Sequence, residues 1–352
     1  MSPVILFIGA VASLIFVHEL GHFLAAKFRG IRVDEFGFGF PPRIVKLFKF
    51  GETDITLNWI PFGGFVRTAG ENDPDVEGGL AAANPWSRII VLLAGPAMNF
   101  LAALLLFAFV FVQLGKPDFN TVIIQEIANS SPAQEAGLQS GDIVQNIAGQ
   151  DINSSQELRD QIYANLGSEI EIVVERNGQL IATSLIPRDP PPEEGAIGIL
   201  MGNPTLPVSG LEAIGFSAAA IGDQVNALIS LPGKLVSGEI SADQGRLVGY
   251  KGMYDIFTEV RAADTPVNTE SSGAINTLAF FASISISLGL LNLLPIPALD
   301  GGRILFTLPE ILFKRRIPSS YENMINFVGF AILIMLMIYV NIQDFVNPIN
   351  IP

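Results

Sequence analysis

The sequence predicts a polytopic α-helical membrane protein with four membrane-crossing helices, a small β-hairpin or sheet against the cytoplasmic membrane face, and one extracytoplasmic α+β domain. Three observations predict it. Of the 352 residues, 49% are apolar and only 15% are charged, against roughly 25% charged in soluble domains. The apolar residues gather into four stretches, 3–28, 89–114, 274–294 and 325–342, each close to the ~20 residues a helix needs to cross a bilayer. Between the second and third lies a long polar segment, 115–273, with 21 acidic and 8 basic residues.

The first stretch lacks the basic start of a cleaved signal peptide, and its apolar run continues through polar residues of functional type. Residues 1–17 and 344–352 carry no Lys or Arg, whereas 27–88 carry eight and 303–316 carry four. Basic loops stay in the cytoplasm. Both termini and the 115–273 segment are therefore expected outside. The chain has no cysteine, which excludes disulfides, thiolate zinc sites and a cysteine nucleophile. A net charge of -14 argues against nucleic acid as a partner.

Following the first span, Phe36-Gly37-Phe38-Gly39-Phe40-Pro41-Pro42 cannot make a stable helix and reads as extended chain at the membrane interface. Residues 53–60 alternate as a strand, and Pro61-Phe62-Gly63-Gly64 is expected to end it. An exposed acidic loop, 71–79, comes next, and then Trp86 as an interface anchor. The second span contains Gly95-Pro96-Ala97-Met98-Asn99. Asn99 there is costly without a partner.

The soluble segment divides by composition. Residues 115–190 form one domain, with strands at 122–124 and 170–174 and a helix at 156–164. Ser131-Pro132-Ala133, Gly137-Leu138 and Gly141-Asp142, followed by the hairpin Asn146-Ile147-Ala148-Gly149, resemble the signature of a bacterial PDZ domain. Such a domain captures a peptide or substrate ectodomain by strand addition or acts as a steric gate. The Pro- and Glu-rich run 189–195 reads as a linker. Residues 191–273 are then a linker and membrane-surface region. Within it, 211–236 is an amphipathic helix interrupted by Asp223, Pro232 and Lys234, suited to the outer surface rather than to crossing.

The two histidines of the whole chain, His18 and His22, frame Glu19 as H-E-x-x-H. Positions i and i+4 share a helical face, so both imidazoles reach one metal ion, with Glu19 beside it to take a proton from water. Ionisable groups inside an apolar span are expensive and usually functional. A catalytic zinc needs a third protein ligand and an open position. Without a third histidine or a cysteine, the third ligand must be a carboxylate or a weaker donor. Asp300 lies in an apolar stretch of about 40 residues, 274–313, broken by Pro295, Pro297, Gly301 and Gly302. Irregular backbone at membrane depth must line a cavity or be covered by protein. The plainer alternatives are a helix cap for Asp300 and a helix–helix hydrogen bond for Asn292.

H-E-L-G-H in the first span, G-x-G-F in the loop, G-P-x-x-N in the second span and N-x-x-P-x-P-x-L-D-G-G in the third resemble the site-2 protease family. The nearest branch is the bacterial intramembrane zinc proteases of the sigma-E-regulating RseP type, here with room for a single PDZ domain. The resemblance implies a zinc-dependent endopeptidase of the bacterial inner membrane that cuts single-span membrane proteins, such as anti-sigma factors or signal-peptide remnants, within the lipid bilayer. It implies Zn2+ ligation by His18, His22 and Asp300, and Glu19 as the catalytic base. It implies that Asn292 binds the substrate backbone and that Gly37, Phe38, Gly39 and Phe40 pair with the substrate as an added strand. A catalytically inactive PDZ-bearing scaffold and a metal transporter are the competing readings. The sequence names no substrate.

Overall fold

The computed structural model describes residues 2–192, 194–241, 245–264 and 274–348. The chain forms two compact units, one of Met1–Gln113 with Gly210–Pro352 and one of Leu114–Ser209.

Helix α1 (Pro3–Phe28) starts with Pro3 in its first turn, where the fixed φ suits a helix and no N–H is missed. Its 26 residues span about 39 Å at 1.5 Å per residue, more than the ~30 Å hydrocarbon core. Gly30, at φ +71°, ends it. The Gly30 N–H bonds Lys27 O and the Ile31 N–H bonds Ala26 O, a left-handed cap that satisfies the last carbonyls.

Strands β1 (Val33–Phe50) and β2 (Thr53–Thr68) follow. Residues 43–50 fold back along 53–58, from Arg43 opposite Asn58 to Phe50 opposite Thr53. The leading half of β1 has partners on both flanks: Phe36 meets Ile55 and Val66, Gly37 meets Thr56 and Phe65, and Phe38 meets Leu57 and Gly64. The sheet thus has four segments in the lateral order 43–50, 53–58, 33–40, 64–68. The strand expected to end at Pro61 does not end there. Gly63, at φ +74°, turns the chain so that 64–68 pair on the other side of β1.

Helix α2 (Pro85–Leu114) meets α1 backbone to backbone at Gly21, where a Cβ would stand 2.2 Å from Ala94 O. Pro96 lies inside α2 and removes one bond of its ladder.

The second unit comprises β3 (Lys116–Pro117), β4 (Val122–Ile127), α3 (Pro132–Glu135), β5 (Ile143–Ile147), β6 (Gln150–Asp151), α4 (Ser155–Ala164), β7 (Ile170–Arg176), β8 (Gln179–Leu185), β9 (Ile199–Gly202) and β10 (Thr205–Leu206). Its main sheet runs β8-β7-β5-β4-β9, with β6 paired to β5, while β3 and β10 pair apart. Ser131 and Ser154 cap α3 and α4 by accepting the Gln134 and Glu157 N–H groups. Ile124, Ile147, Leu158 and Ile172 are fully buried between sheet and helices. Strands at 122–127 and 170–176 and the helix at 155–164 stand where the sequence places them, around the tight turn between β5 and β6. The boundary at 190 falls inside this unit. The Arg188 N–H bonds Ala196 O, and the Arg188 guanidinium holds Gly195 O, so Gly195 and Ala196 are fastened back onto Arg188 instead of leading away.

The first unit resumes with α5 (Gly210–Ser237), α6 (Tyr250–Ala263), α7 (Ile275–Leu293), α8 (Asp300–Phe313) and α9 (Ser319–Val346). Among the described residues five helices, α1, α2, α5, α7 and α9, are long and apolar enough to cross a membrane, one more than expected. Helix α5 is the least apolar, with mean hydropathy 1.2 where the others reach 1.5 to 2.4. Phe216 of α5 rests on Phe111, and Gln224 bonds Ser283 O. Helix α6 sits against the start of α1 through Phe7, Tyr254 and Phe257. Its first turn is held by Asp344 of α9, which accepts the Gly249 and Gly252 N–H groups and an Arg246 N–H.

Candidate functional site

Helical spacing builds the first half of the site. His18 and His22 share one face of α1, with their Nε2 atoms 3.1 Å apart. Helix α2 holds both rings from behind. His22 Nδ1 meets Val91 O at 2.7 Å, and His18 Nδ1 meets the Asn99 amide at 3.2 Å. Gly95 leaves the room they need: a Cβ there would stand 2.3 Å from His22 Nε2 and 2.8 Å from His18 Cε1.

The break between α7 and α8 builds the other half. A Cβ on Gly301 would stand 2.3 Å from Leu293 O, and one on Gly302 would stand 2.2 Å from Ile296 O. The paired glycines therefore let the first turn of α8 lie directly on the end of α7. Ala298, at φ +76°, gives its N–H to Asn326 Oδ1 of α9 at 3.0 Å, which fixes the turn. Asp300, the first residue of α8, is thereby aimed at α1, with Oδ2 3.2 Å from His18 Nε2 and 3.3 Å from His22 Nε2.

The donor set suits zinc. Three donor atoms stand 3.1 to 3.3 Å apart. Ligands bonded to zinc at ~2.0–2.1 Å with tetrahedral angles lie about 3.3 Å from one another. Asp300 Oδ2 is buried and accepts no hydrogen bond, so a cation is the partner it lacks. Two imidazole nitrogens and one carboxylate oxygen leave a fourth tetrahedral position open.

Glu19 accepts the Val66 N–H at 3.2 Å. It lines a cavity of about 250 Å³ together with His18, His22, Asn292, Asp300 and Arg303. Asn292 donates an amide N–H to Leu288 O at 3.0 Å. Arg303, one turn along α8, bonds Glu71 at 2.6 Å and Asn72 at 3.1 Å, tying the 71–79 loop to the cavity rim.

Gly37, Phe38, Gly39 and Phe40 do not line this cavity. Gly37 and Phe38 are paired on both flanks and Phe40 faces Ile60. Phe38 and Gly39 border a separate cleft of about 320 Å³ beside Ala12, Ser13 and Phe16. The strand that reaches Glu19 is 64–66. Sequence reasoning gave no role to Val66, Val91 or Gly95. The only signals for them were Gly63-Gly64, which resembled a terminator, and the Gly-Pro of the second span.

The model of peptidase family M50 matches residues 6–336. A Clostridium perfringens protein named as a zinc metalloprotease is 33% identical over 97% of this chain and 97% of its own length. The regulator of sigma-W protease RasP of Bacillus subtilis is 29% identical over 98% of each chain. The zinc metalloprotease RasP of Bacillus licheniformis is 29% identical over 98% of this chain and 99% of its own.

Proposed function

The chain belongs to peptidase family M50 and is a zinc metalloendopeptidase of the membrane, and from that premise we propose which residues act, how the chain is threaded and what it cuts. His18, His22 and Asp300 hold the zinc, and Glu19 is the general base. The observation that carries this is the convergence of the two Nε2 atoms and Asp300 Oδ2 within 3.3 Å of one another.

Zinc, when bound, supplies Lewis acidity, polarising the scissile carbonyl and making water a nucleophile near neutral pH. Glu19 takes the proton of the attacking water and hands it to the leaving amide nitrogen. The Val66 N–H keeps the Glu19 carboxylate turned into the cavity. A substrate helix hides its peptide bonds in internal hydrogen bonds and must unwind before attack. Adding it as a strand satisfies the freed backbone groups. Among the described residues, 64–68 have ladder partners on the β1 side only. The Val66 N–H points to Glu19, and by the two-residue period of a strand Gly64 faces the same way. The added strand therefore belongs along Gly64–Val66, not along Gly37–Phe40. Asn292, on the cavity wall, orients the substrate backbone.

Four helices cross the membrane and α5 lies at the outer face. A crossing by α5 would need a return before α7. Among the described residues only α6 lies between, and its 14 residues reach about 21 Å, short of the ~30 Å core. Its contacts with Phe7 also keep it at the outer end of α1. Both termini and the PDZ domain are then extracytoplasmic, and the site opens towards the cytoplasm of a bacterial cell. The substrates are single-span membrane proteins of the anti-sigma-factor or signal-peptide-remnant class, a reading supported by the sigma-W role in the Bacillus subtilis relative's name. A cavity of about 540 Å³ between α4 and β9, with Ile162, Ile197 and Met201 on its walls, receives a peptide end or the substrate ectodomain.

The test is purified protein with a single-span substrate, alongside Glu19→Gln. The parent cuts, and Glu19→Gln keeps its zinc and does not. Cutting by Glu19→Gln, or full zinc binding by Asp300→Ala, would sink the assignment.

A further inference from the structure

Asn99 is 1% exposed within the apolar α2, where an amide is retained only with partners. Its carbonyl backbone oxygen accepts the Ser285 hydroxyl of α7 at 2.8 Å. Its side-chain amide stands 3.2 Å from His18 Nδ1, and its Oδ1 is buried with no partner.

The two imidazoles are supported differently. His22 Nδ1 faces the carbonyl of Val91 at 2.7 Å. A carbonyl only accepts, so His22 carries its proton on Nδ1 and frees Nε2 for a cation. Among the described residues, no backbone carbonyl does this for His18. An imidazole that gives Nε2 to a metal must also carry its proton on Nδ1, and that N–H needs an acceptor. The acceptor within reach is the unpartnered carbonyl arm of Asn99.

We infer that Asn99 is a positioning residue for the zinc ligand His18. With the carboxamide turned so that Oδ1 faces Nδ1, it accepts the Nδ1 proton and fixes both tautomer and ring plane. This rests on the reading of His18 as a ligand through Nε2. It also ties the metal site to the packing of α2 on α7. The Ser285 bond holds Asn99 from the α7 side, and Gly289 of α7 leaves just enough room, since a Cβ there would stand 3.3 Å from Asn99 Cβ.

The test measures zinc affinity of the full chain in detergent by chelator competition, with thermal unfolding as the check on folding. Asn99→Leu keeps the branched outline of the side chain and removes the acceptor. Asn99→Asp keeps an acceptor. We expect Asn99→Leu to weaken zinc about 10–100-fold while Asn99→Asp stays within a few-fold of the parent. The chain has two histidines, so 15N-histidine labelling reports two imidazoles alone. In the zinc-loaded parent both Nδ1 atoms are protonated, and in Asn99→Leu only the His18 signal moves. Parental affinity in Asn99→Leu, equal loss in Asn99→Asp, or an unprotonated His18 Nδ1 in the zinc-loaded parent would overturn the inference. A His18 Nε2 signal that zinc leaves unmoved would overturn the ligand reading beneath it, a distinct result.

Discussion

Gly95 of α2 lies so close to His22 of α1 that a Cβ would stand 2.3 Å from Nε2, a separation side chains do not adopt. Gly95→Ala must therefore push the His22 ring forward or part α1 from α2. A misplacement of about 1 Å at a catalytic group costs on the order of 100-fold in rate. Gly95→Ala should lose that much activity together with zinc, while Gly9→Ala, with open space around it, should lose neither. Zinc content per chain and cleavage rate check both.

One carboxylate ties together all four segments of the membrane-surface sheet. Glu35, 2% exposed, lies on 33–40. It accepts the Thr56 hydroxyl from 53–58, Arg43 from 43–50 and Arg67 from 64–68. Burial pushes its carboxyl up, but the Thr56 and Arg43 hydrogen bonds and the Arg67 charge outweigh this and hold it below its ordinary value. Glu35→Gln should cost the sheet about 1–3 kcal/mol in charged hydrogen bonds. Since 64–66 carry the edge beside Glu19, cleavage should slow while zinc stays bound. Hydrogen exchange across residues 33–68 and zinc content separate the two effects.

Asp142 and Arg176 give the second unit, Leu114–Ser209, an acid-sensitive clasp. Asp142 is fully buried and accepts both Arg176 donors at 2.6 and 2.7 Å and the Gln139 N–H at 2.8 Å. Burial raises its pKa, and the Arg176 and Gln139 bonds more than reverse this, leaving it lowered. A lowered carboxylate stabilises the fold fully above its unfolded value of about 3.9, and that contribution is lost as pH falls towards the folded value. Residues 114–209 should thus lose exchange protection below about pH 4. Asp142→Asn should remove about 2–3 kcal/mol at neutral pH and flatten that acid dependence.

The sequence showed the proposed catalytic groups more clearly than their supports. His18, Glu19 and His22 follow from the helical period alone, and Asp300 from a carboxylate in an apolar stretch broken by Pro and Gly. Val66 was hidden because strand register is a long-range property. Pro61 to Gly64 read as a terminator, and only pairing with Phe36–Phe38 shows the chain turning at Gly63 and returning. Gly95 reads as an ordinary small residue until α1 lies against it. The boundary at 190 misled for a related reason: a Pro-rich run has linker composition, but Arg188 recruits it into the domain. The count of crossings fails locally as well. Helix α5 meets the length and hydropathy of a span, and what argues against a crossing, the shortness of α6 and its contacts with Phe7, lies outside it.

That last point has a direct test, because the chain has no cysteine and each introduced thiol is the sole one. Gln179 in the second unit, Glu239 just past α5, Glu52 at the hairpin tip and Lys314 after α8 are all exposed. With four crossings, a membrane-impermeant maleimide applied to intact cells should label Gln179→Cys and Glu239→Cys, and should reach Glu52→Cys and Lys314→Cys only after permeabilisation. With α5 as a fifth crossing, Gln179 and Glu239 would lie on opposite sides. Helix α6 would then have to recross with about 21 Å of helix while keeping Phe257 against Phe7 near the outer end of α1. Labelling of Glu239→Cys only after permeabilisation would therefore overturn both the four-helix threading and the surface position of α5.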